Sequence, residues 1–328
     1  YRFRPMPTIQ TARGPIDSSK LGVTLMHEHI FIFDTDVWLN YPSEWDSEEK
    51  QIANAVTRLN DLKSRGVDSI VDLTVVGLGR FIPRIAKVAQ KTQLNIIFAT
   101  GIYTYRDAPF FFRLRVPPPG KVDIMTEMFV TDIEKGVGDT GLRAGILKCA
   151  TDEYGVTKDI ERILRAVARA HRQTGVPIST HTHAHGKVGL DQQRIFREEG
   201  VDLSRVVIGH CGDSTDLDYL EQLIGAGSYI GMDRFGVDTI LPFEDRVNTV
   251  AQMCKRGHAK NMVLSHDTNC FFHWLPRDQV AAALPRWSYK HIHDDVIPAL
   301  KQKGVTDEQI HTMLVENPRK YFEKQGAY

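Results

Sequence analysis

Leu21-Gly22-Val23-Thr24-Leu25-Met26-His27-Glu28-His29 is a mostly apolar run closed by two histidines around a glutamate. In a β-strand successive side chains alternate faces, so His27 and His29 point one way and Glu28 the other. Two imidazoles on one face at the C-terminal end of a strand can grip one metal ion. Partners for such a site recur down the chain. Lys148, His181, His210 and Asp267 each stand at or near the end of an apolar run of their own.

Working outward, residues 21–29 read as the first of eight short strands. The others fall at residues 67–76, 95–103, 142–148, 177–181, 205–210, 228–233 and 261–267. Pro177 opens the fifth, where a missing N–H is tolerable. Helical patterns lie between most of them. Residues 48–65 stop at Gly66, residues 160–173 stop before Gly175, and the tail 291–322 is helical in pattern. Eight strands separated by helices predict an α/β protein, a (β/α)₈ TIM barrel. The open, doubly wound sheet is the alternative, but no Gly-rich phosphate turn follows the first strand. A chain of 328 residues is long enough for two domains, yet a barrel of this length is normally one. We expect one domain over residues 11–328 and an N-terminal extension over 1–10. The longest irregular stretches, residues 106–120 and 268–287, follow strand ends, where a barrel carries its active-site loops.

Composition narrows the function. Lys plus Arg and Asp plus Glu each number 41, so the formal charge is zero. That balance disfavours nucleic acid and other polyanionic partners. Cys149, Cys211, Cys254 and Cys270 form no C-x-x-C pair, so neither a zinc knuckle nor a disulfide framework is expected, and a reducing cytoplasm fits best. No run approaches a membrane span, and the first ten residues lack the apolar core of a signal peptide. The chain begins with Tyr1 rather than Met.

His181 closes Pro177-Ile178-Ser179-Thr180-His181, His210 closes Val206-Val207-Ile208-Gly209-His210, and Asp267 closes Met262-Val263-Leu264-Ser265-His266-Asp267. Inward residues at strand C-termini converge on one pocket in a barrel. Neutral imidazole and carboxylate suit zinc, iron, cobalt or manganese. Lys148, ending Ala144-Gly145-Ile146-Leu147-Lys148, is the odd member. Its ammonium would be repelled by cations, but a buried Lys loses its proton readily, and a neutral amine takes up CO₂ to become a carbamate. A Lys paired with a carboxylate is the plainer reading of that position. Glu28, Cys149, Cys211 and His266 are turned outward by alternation and read as packing or hydrogen-bonding residues. His183 and His185 fall beyond the fifth strand. His291 and His293 read as surface residues of a helix, and Cys270 as a buried thiol.

The chain resembles the phosphotriesterase-like lactonases of the amidohydrolase superfamily. The resemblance is carried by Thr24-Leu25-Met26-His27-Glu28-His29, Gly101-Ile102-Tyr103-Thr104-Tyr105, Gly145-Ile146-Leu147-Lys148-Cys149, Ile178-Ser179-Thr180-His181-Thr182-His183, Gly209-His210-Cys211-Gly212-Asp213, Gly231-Met232-Asp233-Arg234-Phe235-Gly236 and Leu264-Ser265-His266-Asp267, in that order. It runs from about residue 11 to the C-terminal helices. It implies two divalent metal ions (Zn, Co, Fe or Mn). His27, His29 and Asp267 would hold the buried ion, and His181 and His210 the more exposed one. Carboxylated Lys148 and a hydroxide would bridge them. It also implies catalytic roles for Asp267, Tyr103 and Arg234. Tyr103 would lean over the bridging solvent, unless it is a strand-end aromatic of the core. Arg234 would stand at the pocket rim, unless it forms a surface ion pair.

Two divalent ions against carbamate, Asp267 and hydroxide leave a small positive surplus, which suits a neutral electrophile that becomes anionic in the transition state. The resemblance implies hydrolysis of N-acyl homoserine lactones and other γ- and δ-lactones, a quorum-quenching activity, with secondary phosphotriesterase activity. Asp267 would carry the proton to the leaving oxygen. A dedicated organophosphate triesterase, a mononuclear deaminase that does not need Lys148, and a catalytically inactive metal-binding scaffold are the competing readings. Phe271, Phe272, Trp274, Leu275 and Trp287 in the last loop are candidates for an acyl channel, or for ordinary lid packing. Phe110-Phe111-Phe112-Arg113-Leu114-Arg115 is a candidate contact of the homodimer that the resemblance implies, or a substrate flap.

Overall fold

The computed structural model describes residues 7–328; of the expected extension, residues 1–6 lie outside the described residues. Eight parallel strands form the barrel wall: β1 (Thr24–Glu28), β2 (Ser69–Asp72), β3 (Asn95–Gly101), β4 (Ile146–Thr151), β5 (Ile178–Thr182), β6 (Val206–Ile208), β7 (Tyr229–Met232) and β8 (Met262–Leu264). Each pairs with its neighbour in sequence, so the order around the sheet is the order in the chain. The alternative of an open, doubly wound sheet is excluded by this order. The seam between β8 and β1 is closed just past the regular strands. There Asp267 N–H donates to His27 O (3.0 Å) and His29 N–H to Thr268 O (2.9 Å).

Helices cover the outside: α1 (Glu48–Ser64), α2 (Ile82–Ala89), α3 (Ile124–Glu134), α4 (Lys158–Thr174), α5 (Gly189–Glu198), α6 (Leu217–Gly225) and α7 (Phe243–Lys255). Helix α4 shows how local sequence sets the bounds. Thr157 caps its start by accepting from Ile160 N–H, and Gly175 ends it in a left-handed conformation. Its inward stripe, Ile160, Ile163, Leu164 and Val167, is buried. The C-terminal helices contain two wide π turns, Ile292–Val296 and Thr312–Glu316. Each is followed two residues later by a proline, Pro298 or Pro318. A proline cannot donate to the preceding turn, and the wider ladder accommodates that loss.

The bounds of β4 differ from the sequence expectation in a way that matters for the site. β4 begins at Ile146 rather than residue 142 and runs on to Thr151, because its later residues pair with β5 in the register Lys148↔Ser179 through Thr151↔Thr182. Lys148 therefore sits inside a strand and not at its end. At the other end of the barrel, Thr8–Thr11 pairs antiparallel with Gly14–Asp17. This hairpin spans the boundary expected at residues 10 and 11. It is tied to the start of β3 by Ala12 N–H donating to Ile96 O (2.8 Å). His291 is a further correction. It is buried, packed on the ring of Phe243 and bonded to Asp295, because the π turn beside it rotates that face inward.

His171 on α4 gives a pH prediction. Its Nδ1–H donates to Val176 O (2.7 Å), and its Nε2 accepts from the Tyr328 hydroxyl (2.8 Å). Burial pulls it down to about 4 from its ordinary value near 6.5. Between those values the unfolded chain binds a proton that the folded chain does not, so stability is lost as pH falls through that window. We expect His171→Gln to make the urea midpoint less steeply dependent on pH between 4 and 6.5. An unchanged slope would refute this.

Candidate metal centre

The interior of β4 and the C-terminal ends of β1, β5, β6 and β8 bring six predicted side chains to one place: His27, His29, Lys148, His181, His210 and Asp267. All but Asp267 are buried, and Asp267 is only 14% exposed. Asp267 Oδ1 lies 3.1 Å from His29 Nε2 and 3.4 Å from His27 Nε2, while its Oδ2 lies 3.7 Å from His210 Nε2. Lys148 Nζ lies 2.9 Å from His27 Nε2, and His210 Nε2 2.8 Å from His181 Nδ1. One ligand atom from each of His27, His210 and Asp267 falls within a 4.8 Å group.

Local backbone geometry aims these groups. β1 carries a bulge: Leu25 pairs with Ile70, but Glu28 pairs with Asp72, so the bulge falls at Met26 and His27. His210 (φ 59°) and Asp267 (φ 56°) adopt the left-handed region without being glycine. Such conformations cost on the order of 1–3 kcal/mol and persist where surrounding bonds over-determine them. Gly101 is required for the opposite reason. Its φ is 147°, and an added Cβ would lie 1.8 Å from Lys148 O.

A second set of residues fixes each imidazole. Asp233, one residue past β7, accepts from His27 Nδ1 with Oδ2 (3.0 Å) and from His210 Nδ1 with Oδ1 (2.9 Å). Thr74 Oγ1 accepts from His29 Nδ1 (2.9 Å) while donating to Asp72 Oδ1 (2.6 Å). Asp152 accepts from His181 Nε2. Each ring thus gives its proton to an outer oxygen and presents a bare nitrogen to the interior. Parity could have found two of these. Asp152 follows Lys148 by four residues on one strand face, and Asp233 closes its run as Asp267 does.

The facing nitrogens of His181 and His210 provide the test of whether a cation fits. With both protons committed outward, two lone pairs meet at 2.8 Å, an arrangement that a positive ion between or beside them relieves. Burial holds His181 down to about 4 and pushes His27 and His210 below their ordinary value, so the rings are neutral, the form that binds metal. Burial also lowers Lys148 to about 8, against the pull of Asp267 and Asp233. Asp267 is held well below the ordinary carboxyl range although burial opposes this, and the Arg234 guanidinium on its Oδ2 (2.9 Å) is the fixed cation beside it.

Arg234 is neither a free rim residue nor a surface pair. Its Nε donates to Asp267 Oδ2 (2.9 Å) and its Nη1 to Asp213 Oδ2 (3.0 Å). Asp213 is held in turn by buried Arg246 (2.7 Å). Burial would lower the Arg234 pKa, but Asp213 and Asp267 raise it on balance, so it stays a cation. Tyr103 packs edge-on against His181, and its hydroxyl bonds that of Tyr105 (2.6 Å). Burial raises its pKa well above the ordinary value, which keeps it a neutral phenol.

A cavity of about 430 Å³ opens over these groups. Phe272, Trp274, Leu275 and Trp287 line it, as do Val237 and Ile240. Phe271 does not: it stacks behind, on Phe33 and Trp45. Cys270 is buried and faces the Tyr289 hydroxyl (3.6 Å), and His183 and His185 lie outside the cavity. A second cavity of about 800 Å³ lies behind the same loop, against Thr57 and Arg58 of α1, and shares Phe272, Val280, Leu284 and Trp287 with the first.

A parallel eight-stranded barrel whose strand ends gather imidazoles, a carboxylate and a lysine defines a class of hydrolase scaffold, and comparison with known proteins places the chain within it. A profile of the Phosphotriesterase family matches residues 7–322. The chain belongs to the phosphotriesterase family of hydrolases. It is 67% identical over 326 residues to the phosphotriesterase homology protein of Mycobacterium tuberculosis (strain H37Rv), covering 98% of this chain and all of that one. It is 41% identical to an aryldialkylphosphatase of Saccharolobus solfataricus, covering 94% of this chain and 98% of that one. A solved structure titled as the phosphotriesterase from Mycobacterium tuberculosis superposes with a TM-score of 0.96 at 66% identity, over 98% of this chain and all of that one.

Proposed function

We propose that this protein is a binuclear metal-dependent lactonase with secondary phosphotriesterase activity. The observation that carries the proposal is the convergence of four outward-protonated imidazoles on Asp267 and Lys148 beneath an apolar cavity. His27, His29 and Asp267 would hold one cation, His181 and His210 the other, and Lys148, as a carbamate formed with CO₂, would serve both. When bound, two such ions acidify a water and polarise the substrate's carbonyl or phosphoryl oxygen.

The chain's own residues do the rest. The Tyr103 phenol, kept neutral by burial, donates a hydrogen bond toward the oxygen on which charge develops. Asp267 takes the proton of the attacking water and hands it to the leaving ring oxygen. Arg234 holds the Asp267 carboxylate through Oδ2 and leaves Oδ1 facing the histidines. Val237, Ile240 and the last loop, together with Ile32 and Leu78, give the cavity its apolar lining. That lining supports a substrate with an apolar arm, such as an N-acyl homoserine lactone or another γ- or δ-lactone.

The test is turnover of a lactone series against an aryl phosphotriester, with protein carrying two equivalents of zinc, cobalt or manganese. We expect kcat/KM for the best lactone to exceed that for the triester by about tenfold or more, and a chelator to abolish both activities until metal is restored. A preference for the triester would make this a dedicated organophosphate triesterase, the reading that the 41% identity to an aryldialkylphosphatase favours. Hydrolysis of neither would make it a metal-binding scaffold.

The exposed apolar edge at Phe110, Leu114 and Val116 supports a homodimer contact there. No helix among the described residues is long and apolar enough to cross a membrane. All four cysteines are free thiols, which supports a cytoplasmic location.

A further inference from the structure

Glu28 lies between two of the gathered histidines but points away from them. It is fully buried, and among the described residues its carboxylate has no cationic side chain within ion-pairing distance except the His266 ring. It instead accepts from the segment that follows β8. Oε1 accepts from Ser265 Oγ (2.7 Å), His266 N–H (3.0 Å) and His266 Nδ1 (2.7 Å), and Oε2 accepts from Thr268 N–H (3.0 Å). The His266 ring is itself anchored, since its Nε2 accepts from Ile292 N–H (3.0 Å) at the start of the C-terminal helices.

These bonds bracket Asp267. The N–H groups of residues 266 and 268 go to Glu28, and that of Asp267 goes to His27 O (3.0 Å). Three consecutive N–H groups can converge on one strand because Asp267 is left-handed (φ 56°), and successive N–H groups around such a residue form a concavity that suits an anion. Glu28 fills that concavity. Ser265 extends the tie, because its Oγ also accepts from His27 N–H (2.9 Å). Among the described residues, this is the one junction of the barrel where no regular strand ladder forms.

We propose that Glu28 is a positioning residue: its buried carboxylate holds Asp267 in its left-handed conformation and so sets the distance from that carboxylate to His27 and His29. The assignment rests on the reading of those three residues as metal ligands. A carboxylate that merely supported the fold would affect stability alone. One that positions Asp267 also affects how tightly a cation is held, because outer partners of metal ligands commonly contribute 10–100-fold to affinity.

The experiment compares the full chain with its Glu28→Gln and Ser265→Ala variants, each stripped of metal and titrated with zinc. Thermal midpoints of the stripped proteins are measured alongside. In Glu28→Gln the side-chain amide offers only one acceptor oxygen, so one N–H of the 266–268 concavity is left facing an NH₂ group. We expect the zinc dissociation constant to rise about tenfold or more in Glu28→Gln. In Ser265→Ala, which keeps the carboxylate, the rise should be about threefold, with kcat falling more than KM rises in both. Equal zinc affinity in all three, with or without a lower thermal midpoint in the variants, overturns the proposal. Should Glu28→Gln fail to fold, Ser265→Ala decides alone: unchanged zinc affinity there overturns the positioning role. Failure of the parent chain to bind zinc would count against the metal-centre reading itself, a separate result.

Discussion

Asp267→Asn lowers kcat by about three orders of magnitude and leaves KM within about threefold. A positioned proton carrier contributes about 10²–10⁴ to rate, and Asn could not accept the proton that the proposed mechanism gives to Asp267. The surroundings favour the ionised carboxylate: Asp267 is held well below the ordinary carboxyl range despite burial, with the Arg234 guanidinium 2.9 Å from its Oδ2. The acceptor is therefore ready at neutral pH, and the proton it gains is passed on readily. Because Asp267 also faces three imidazoles, metal content must be measured in the same preparation. With two equivalents bound, a selective loss of kcat identifies the proton role. Matched losses in kcat and KM would reduce Asp267 to a substrate-positioning group.

Lys148→Ala is expected to cost about 10³-fold in turnover, the scale seen when one preorganised charge is taken from a reacting centre. Lys148 is buried among neutral imidazoles, and its pKa of about 8 leaves a useful fraction as free amine at neutral pH. On the proposed reading that amine would add to CO₂, forming an N–C bond and releasing a proton, and so would convert a repelled cation into an anionic ligand. Carbon-13 NMR of protein equilibrated with labelled bicarbonate should show one carbamate signal, absent from Lys148→Ala. Full activity in the variant, or no carbamate signal in the parent, would favour a single-ion centre with an unmodified amine.

Much of this arrangement was legible in the sequence because barrels concentrate function at strand ends, and apolar runs show where strands end. His27, His29, His210 and Asp267 could be picked out that way, and Lys148 stood out because an ammonium is costly in a buried run. What was not legible depends on register between strands. Spacing along β1 fixes which way His27 points, but not that Asp233, over two hundred residues away, takes its Nδ1–H and that of His210 together. Nor does composition reveal the left-handed backbone at His210 and Asp267, since neither residue is glycine. Arg234 read as a rim or surface cation because an Arg usually is one. Its burial between Asp213 and Asp267 comes from tertiary packing alone. Phe271 and Phe272 look equivalent in sequence, yet they face opposite sides of the loop.

The loop after β8 is also a partition. Phe272, Val280, Leu284 and Trp287 present one surface to the reactive chamber and the other to the larger void beside α1. The thickness of that wall is a few side chains, and none of them holds a ligand atom. Shortening Leu284 or Val280 would therefore join the two spaces into a through-passage while leaving the strand-borne chemistry in place. The protein thus carries, one layer from its working pocket, spare volume that selection or design can annex for bulkier molecules.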